Sequence, residues 1–307
     1  MSEFTITLPA TSANLGPAFD AAAMALKLSL RIRAHRAKEF AITATGRDRE
    51  ICGRLDNHLI ISTYQEVLAA ESRPAPALAL RIENGFPVAK GCGSSAAARL
   101  AGIALAVHFG RLRWTSSRII GEAAAREHHP DNASACWLGG VTVARMRGKV
   151  EAQVARFVPK GEWPLMLAIP DATLATEKAR AVLPNEYSRA DTVANIQNSM
   201  LLVAALFQGN HDLLASSLDD RLHQPCRGKL CPLLPALAEL GLGDGILGVA
   251  LSGAGPSVLI FIDPRLPSAK SRARIEGKLK KRGLRAELVP TAIARRGAEA
   301  SFLGRAR

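Results

Sequence analysis

The stretch P-V-A-K-G-C-G-S-S-A-A-A, Pro87 to Ala98, runs directly into an apolar helical segment, Arg99 to Phe109. Its two closely spaced glycines allow the backbone to bend tightly around a ligand. The first N–H groups of a helix have no partner inside the helix and lie at its positive end, where they favour an anion. The stretch therefore predicts an anion-binding loop, with ordinary helix capping as the alternative.

The side chains of this loop add chemistry that suits phosphate. Gly91 and Gly93 permit left-handed backbone angles, and Lys90 contributes a positive charge. Ser94 and Ser95 offer hydroxyl groups to a phosphate or to a magnesium ion. We therefore favour phosphate as the ligand of the loop.

Length and composition are typical of a globular enzyme. The chain has 307 residues, of which 48% are hydrophobic and 22% charged, and this length can hold one large or two medium-sized domains. The N-terminus lacks the basic and apolar segments of a signal peptide, and no run of eighteen apolar residues occurs. We therefore expect a cytoplasmic protein without a membrane partner.

The cysteines predict neither a disulfide framework nor a zinc site. They are odd in number, widely spaced and without a C-x-x-C pair. Cys92, inside the glycine loop, is interpreted as a small apolar residue. The five are Cys52, Cys92, Cys136, Cys226 and Cys231.

A formal net charge of +13 raises nucleic-acid binding as an alternative function. The excess is concentrated near the C-terminus, where 13 of the 40 Lys and Arg follow residue 264. Much of it lies on a basic amphipathic helix predicted from Ser268 to Arg282, and Phe302 is the one aromatic residue there that could stack on a base. A solvated basic face is the favoured interpretation, so no nucleic-acid partner is expected.

Hydrophobic periodicity predicts a mixed α/β first half. Alternating residues indicate a strand at its start and a half-buried strand from Met24 to Ile32. A helix is predicted from Leu59, capped by Asp56 or Asn57, and another from Thr115 to about Glu127. Residues 128–132, H-H-P-D-N, are interpreted as a polar turn followed by a strand.

The second half shows strands and helices in a different order. K-G-E-W-P at 160–164 marks the predicted crossing between domains, and strands are predicted near 165–169, 248–251, 257–262 and 286–289. The fold class is therefore α+β, a mixed α/β fold with helices packed on sheets.

Several blocks resemble the GHMP family of small-molecule kinases, and the likeness runs nearly end to end. The second half resembles the members of that family that phosphorylate homoserine, through E-K-A-R-A-V-L-P at 177–184 and D-R-L-H-Q-P-C-R at 220–227. The other blocks are P-A-T-S-A-N-L-G-P-A-F-D at 9–20, the glycine loop at 87–97, H-P-D-N at 129–132 and A-L-S-G-A-G-P-S at 250–257.

The resemblance implies an N-terminal α/β domain over 1–158 and a C-terminal ferredoxin-like domain over 159–307, with ATP and substrate in the cleft. Asn57 would lie near the adenine. Ser95 would bind Mg²⁺ together with a glutamate, for which Glu122 and Glu127 remain alternatives. The ATP-binding loop would comprise Lys90, Gly91, Cys92, Gly93, Ser94, Ser95 and Ala96.

The activity implied is ATP-dependent phosphorylation of the L-homoserine hydroxyl in threonine biosynthesis. A kinase for another small alcohol is the alternative, and a homodimer is left open. Asn14, Asp20, His129 and Asn132 would line the amine and hydroxyl side, while Arg180 and Arg227 would hold the carboxylate.

Asp131, Ser95 and Arg227 are the candidate catalytic residues that the resemblance implies. Asp131 matches a position where other members of the family have an aspartate proposed as the base for the acceptor hydroxyl. The alternative is catalysis by positioning and charge neutralisation without a base, which phosphoryl transfer tolerates.

Overall fold

The computed structural model describes residues 3–303. Six strands of the first half form one sheet, in which β1 pairs with β2 and the remaining order is β3-β4-β2-β5-β6. The pairs are antiparallel except β3 with β4, which are parallel. The strands are β1 (Phe4–Ala13), β2 (Ala22–Arg36), β3 (Ala41–Gly46), β4 (Leu78–Asn84), β5 (Val141–Met146) and β6 (Ala152–Phe157).

Alternation along β2 shows why this sheet forms. Met24, Leu26 and Ile32 are buried while Lys27 and Arg31 are exposed, which confirms the predicted half-buried strand. The apolar face packs against helices to form the core of the first half. These helices are α1 (Arg49–Cys52), α2 (Leu59–Ala70), α3 (Ser94–Phe109), α4 (Ser116–Glu127) and α5 (Asp131–Leu138).

The second sheet has four antiparallel strands in the order β10-β7-β9-β8. Counted along the chain, this order is fourth, first, third and second, which is the ferredoxin-like arrangement. The predicted fold is thereby confirmed. The strands are β7 (Leu165–Ile169), β8 (Ile246–Leu251), β9 (Val258–Ile262) and β10 (Glu287–Thr291).

The helices of the second half surround this sheet, except the last one, which returns to the first half. Phe302 in that helix packs on Trp137, with ring centroids 5.3 Å apart. The boundary between domains at residue 158 stays a prediction, although the first sheet ends at Phe157 and the second begins at Leu165. The helices are α6 (Thr176–Ala181), α7 (Arg189–Gln208), α8 (His211–Ser217), α9 (Gln224–Arg227), α10 (Leu233–Ala238), a 3₁₀ turn (Leu242–Asp244), α11 (Ser268–Lys281) and α12 (Ala298–Leu303).

Two local predictions were wrong. Helix α2 is capped by His58 without a side-chain hydrogen bond, because Asn57 lies one position earlier with a left-handed φ of 52°. Residues after His129 form helix α5 rather than a turn and a strand. Since seven of its eight residues are buried, α5 has no polar face and therefore no helical periodicity in its sequence.

Within residues 3–303, every helix falls short of the length and apolar character that crossing a bilayer requires.

Candidate active site

A cavity of about 530 Å³ is lined by residues from both halves of the chain. It brings together most of the predicted site residues, from segments far apart in the sequence. Lys90, Cys92, Ala96 and Glu122 are the predicted residues outside its lining. Those that line it are Asn14, Asp20, Asn57, Gly91, Gly93, Ser94, Ser95, Glu127, His129, Asp131, Asn132, Arg180 and Arg227.

The glycine loop depends on backbone angles that favour glycine. Gly91 and Gly93 have φ of 77° and 70°, and Gly93 is the N-cap of α3. A Cβ on Gly91 would lie 2.2 Å from the Ser252 carbonyl oxygen. Because α3 has no side-chain cap, its first N–H groups face the loop without the ordinary capping partner, which favours the anion-binding interpretation.

The three glycine-rich blocks are joined by hydrogen bonds. Ser252 Oγ donates to the Gly91 carbonyl oxygen at 2.6 Å, and Asn14 Nδ2 donates to the Gly253 carbonyl oxygen at 2.8 Å. The Thr11 N–H donates to the Cys92 carbonyl oxygen at 3.0 Å. The opening loop, the phosphate loop and the late glycine loop therefore form one wall.

Of the two glutamates predicted for magnesium, Glu127 lies beside Ser95. Ser95 Oγ donates to Glu127 Oε1 at 2.6 Å, and Arg99 Nε donates to the same oxygen at 2.6 Å. Glu122 is instead held between Arg118 and Arg126 on its own helix, outside the cavity lining. A hydroxyl and a carboxylate are oxygen donors of the kind that Mg²⁺ takes, so the geometry favours Glu127.

The remaining loop residues have structural contacts. Lys90 Nζ donates to the Pro170 carbonyl oxygen at 2.8 Å, which ties the loop to the second half. Burial raises the pKa of the Cys92 thiol to about 12, so it is a neutral apolar group, in line with the interpretation made from sequence. The side chain of Ala96 is buried in α3.

In the same cavity, an ion pair joins the two halves of the chain. Arg180 Nη2 donates to both carboxylate oxygens of Asp20, at 2.8 and 2.9 Å. Asp20 ends the opening loop and Arg180 belongs to α6. The two side chains are 30% and 34% exposed, so a solute entering the cavity can reach both.

A second arginine lies beside this pair and is buried. Arg227 Nε donates to the Ala179 carbonyl oxygen at 3.0 Å, and its guanidinium carbon lies 5.1 Å from the centre of the Phe19 ring. Burial and the neighbouring Arg180 lower the pKa of Arg227. Two arginines, Arg180 and Arg227, therefore line the cavity together. Guanidinium groups bind carboxylates well, so the pair is suited to a ligand that carries a carboxylate.

An acidic corner, formed by Asp131 with His129, lies close to Asp20. His129 Nδ1 lies 2.5 Å from Asp131 Oδ1, and the Asn132 N–H donates to the same oxygen at 2.6 Å. One ligand atom from each of Asp20, His129 and Asp131 lies within 4.8 Å of the others. Burial lowers the pKa of His129, but the hydrogen bond and charge of Asp131 outweigh it and the net shift is upward.

His223 lies behind the cavity lining, in contact with Arg227, and sequence reasoning missed it. It is fully buried, with Nε2 2.8 Å from the Gly16 carbonyl oxygen and Nδ1 3.3 Å from Arg227 Nη1. Since a carbonyl only accepts, Nε2 carries the proton and Nδ1 accepts from Arg227. Burial lowers the pKa of His223, which favours this neutral form. One signal in the sequence could have identified it: His223 and Arg227 are four residues apart, a spacing that places two side chains side by side on a helix.

Comparison with known proteins agrees with this geometry. The family model described as GHMP kinases N terminal domain matches residues 58–140, and GHMP kinases C terminal matches residues 202–283. The chain is 43% identical to a homoserine kinase of Solibacter usitatus over 85% of this chain and 86% of the relative. It is 35% identical to a homoserine kinase of Deinococcus radiodurans, over 92% of this chain and 91% of that relative.

Solved structures show the same fold. The homoserine kinase from Cytophaga hutchinsonii superposes with a TM-score of 0.81 at 20% identity, covering 97% of this chain and 96% of that one. The L. major mevalonate kinase superposes with a TM-score of 0.66 at 15% identity, covering 95% of this chain and 96% of that one. Both likenesses concern fold alone, whereas the relatives above 30% identity extend over most of the sequence. The chain belongs to the GHMP kinase family, on the branch of the homoserine kinases.

Proposed function

We propose that this chain transfers the γ-phosphoryl group of ATP to the hydroxyl of L-homoserine, a step of threonine biosynthesis that we infer to be cytoplasmic. The observation that carries the proposal is a single cavity lined by the uncapped N-terminus of α3 and by Asp20, Arg180 and Arg227. The names of the relatives at 35–43% identity support the same substrate.

The charged cluster is complementary to an amino acid. We propose that the substrate carboxylate binds Arg180 and Arg227, while its ammonium group binds Asp20. The Asp20–Arg180 pair opens in this step, and each partner exchanges one opposite charge for another, so no charge is left buried alone. Mevalonate or a neutral sugar has no cation to offer Asp20, which disfavours the alternative kinase functions.

The phosphate end is assigned to ATP. We propose that backbone N–H groups of the glycine loop and of the first turn of α3 bind its phosphates. Ser95 and Glu127 would hold Mg²⁺, since their oxygens lie 2.6 Å apart and belong to the donor types that this ion takes. When bound, the ion supplies positive charge that offsets the charge of the phosphate oxygens.

Asp131 is assigned a positioning role rather than that of a base. Its Oδ1 lies within hydrogen-bond distance of His129 and accepts from the Asn132 N–H, so it is engaged in fixing the substrate-side residues. A phosphoryl group passes through a loose transition state whose main need is alignment and charge stabilisation. The bond from the hydroxyl oxygen to phosphorus forms as that to ADP breaks, and the hydroxyl proton is released to water.

The nucleic-acid alternative is weakened by how the basic helix α11 is paired. Lys278 of this helix and Arg282, the residue after it, both contact the carboxylate of Glu239. Arg272 contacts Glu276 at 2.8 Å. These charges are therefore partly neutralised within the molecule. A salt-dependent gel shift with duplex and single-stranded DNA tests this, and we expect no binding at physiological salt.

The direct test is ADP release with a panel of alcohols. We expect kcat/KM for L-homoserine to exceed that for mevalonate, galactose, L-serine and L-threonine by at least about 100-fold, because ligands lacking a charge or correct length leave buried groups unpaired. Phosphorus NMR identifies the product, and chelation of magnesium should abolish turnover. Comparable rates with mevalonate or galactose would overturn the proposal.

A further inference from the structure

Thr11, a residue of β1, connects the glycine loop with a residue of the substrate side. Its backbone N–H donates to the Cys92 carbonyl oxygen at 3.0 Å, and its Oγ1 lies 2.6 Å from Oδ1 of Asn132. Thr11 is fully buried behind the cavity lining, to which Asn132 belongs. One buried side chain therefore holds together two segments that are 39 positions apart at Gly93 and Asn132.

The direction of the hydrogen bond between Thr11 and Asn132 follows from the neighbouring Asp131. Asn132 Nδ2 donates to Asp131 Oδ1 at 3.3 Å, and the Asn132 N–H donates to the same oxygen at 2.6 Å. A carboxylate only accepts, so the amide nitrogen of Asn132 faces Asp131 and the amide oxygen faces Thr11. The Thr11 hydroxyl is therefore the donor, and it fixes the orientation of the amide.

An amide fixed in this orientation has one N–H left for a ligand. The amide nitrogen carries two hydrogens, of which Asp131 accepts one. Because Asn132 lines the cavity, the second hydrogen can donate to an oxygen of a bound ligand. A flipped amide would bring its oxygen against the Asp131 carboxylate, and an oxygen ligand would lose this donor.

Thr11 also packs against the start of α3. A Cβ on Gly93, the N-cap of that helix, would lie 1.9 Å from Thr11 Oγ1 and 3.1 Å from Asn132 Oδ1. The hydrogen bond between the two side chains therefore lies directly beside the backbone of the glycine loop. Since protein interiors are close-packed, losing this bond would shift Asn132 relative to that backbone.

We propose that Thr11 is a positioning residue that sets the distance between the acceptor hydroxyl, bound near Asn132, and the phosphates bound at the glycine loop. This inference rests on the proposed function. Phosphoryl transfer needs the attacking oxygen close to phosphorus and aligned with the leaving oxygen, and a misplacement of about 1 Å costs about 100-fold in rate. Being buried, Thr11 acts through Asn132 and not on either ligand.

Thr11→Val tests the proposal, because it removes the hydroxyl and keeps the shape of the side chain. Both ligands keep their own binding groups, so we expect kcat to fall about 10–100-fold. KM for L-homoserine and Kd for ATP should each change by less than about threefold, which is the signature of an interaction that acts in the transition state. Thr11→Ser retains the donor and should restore kcat to within about threefold of the wild type.

Thr63→Val is the matched control. Thr63 is a fully buried threonine of α2, and within residues 3–303 its Oγ1 has no hydrogen-bond partner. The same replacement there removes a hydroxyl that orients nothing, so kcat should equal that of the wild type. Urea unfolding of every variant separates a change in stability from a change in catalysis.

A double-mutant cycle shows whether Thr11 acts through Asn132. Asn132→Ala removes the amide, so adding Thr11→Val to it should lower kcat by less than about twofold, whereas independent effects would multiply. Multiplied effects would overturn the inference, as would wild-type kcat in Thr11→Val or a Thr11→Ser enzyme as slow as Thr11→Val. These outcomes leave the proposed function intact, while a wild type that does not phosphorylate L-homoserine would overturn both.

Discussion

The two ends of the active-site cavity are built in different ways. We assign one end to the phosphates of ATP and the other to the substrate. The phosphate end consists largely of backbone groups from one continuous stretch, residues 87–98, held by glycine angles. The substrate end consists of charged side chains from separate segments, of which Asp20 and Arg227 are 207 positions apart. The first depends on local conformation, and the second depends on long-range folding and on the partners of each charge.

This difference predicts different responses to substitution. A change that moves the backbone should damage the phosphate end whatever the chemistry of the new side chain. At the substrate end a change should act through charge and hydrogen bonding, and it should leave nucleotide binding intact. The predictions below separate these two behaviours.

Gly91→Ala should have the largest effect. Its Cβ would lie 2.2 Å from the Ser252 carbonyl oxygen, and φ of 77° is unfavourable for alanine, so the loop must move. Because the loop N–H groups would leave the phosphate, we expect kcat/KM to fall about 10³-fold. Steady-state kinetics measure this, and thermal unfolding reports any loss of stability.

Gly277→Ala provides the matched control for that substitution. Among residues 3–303, nothing outside its own helix lies within 4 Å of the added Cβ, and the residue is inside helix α11. Alanine should therefore stabilise the protein by about 0.5–1 kcal/mol without altering activity. Equal damage by the two substitutions would contradict the importance of the loop angles.

Arg227→Ala should act on the substrate end alone. Removing one partner of a buried charged contact costs about 3 kcal/mol, so kcat/KM for L-homoserine should fall about 100-fold. The Kd for ATP, measured by calorimetry, should stay within about twofold. Arg221→Ala, in the same segment but 51% exposed, is the control and should behave like the wild type. Weakened ATP binding by Arg227→Ala alone would show that the two ends are not independent.

Asp131→Asn should have a smaller effect than Ser95→Ala. Asparagine keeps an acceptor oxygen for the Asn132 N–H, so we expect a loss of about tenfold in kcat. Ser95→Ala removes a proposed magnesium ligand and should cost more than Asp131→Asn. General-base catalysis contributes about 10²–10⁴-fold, so an Asp131→Asn enzyme as inactive as Ser95→Ala would identify Asp131 as a base.

The same difference between local and long-range structure determines how much could be predicted from the sequence. The glycine bend and the helix after it were predicted from the pattern of Gly91, Gly93 and the apolar run that follows, because a local pattern determines a local structure. The ferredoxin-like order of the second sheet came from family resemblance, since strand order depends on contacts between distant segments. The choice between Glu122 and Glu127 depended on tertiary structure, because both lie on α4 and only their neighbours differ.

The role of His223 on the substrate side could not be predicted from the sequence. Its contacts with the Gly16 carbonyl oxygen and Arg227 join segments that are 207 and four residues away. The nearer contact could be read from helical spacing, but the farther one sets the tautomer and therefore the role of the ring. A site of this kind cannot be predicted from local sequence, because its contacts form between segments that only the tertiary fold brings together.

The smallest expected effects concern pH, and they have opposite signs for two histidines of the substrate side. The pKa of His129 is raised above 6.5 by its hydrogen bond to Asp131, against the effect of burial. Its contribution to the free energy of unfolding is therefore complete below pH 6.5 and is lost as pH rises through the raised pKa. The pKa of His223 is lowered by burial, so its contribution is present above pH 6.5 and is lost as pH falls.

Urea unfolding of the wild type, His129→Gln and His223→Gln between about pH 5 and 9 measures both contributions as differences. The wild type should lose its advantage over His129→Gln with rising pH and its advantage over His223→Gln with falling pH. Glutamine keeps a donor and an acceptor at each position, so the pH dependence of each difference reports the ring proton. Slopes of the same sign would contradict the opposite pKa shifts of the two rings, which follow from the hydrogen bond of His129 to Asp131 and from the burial of His223.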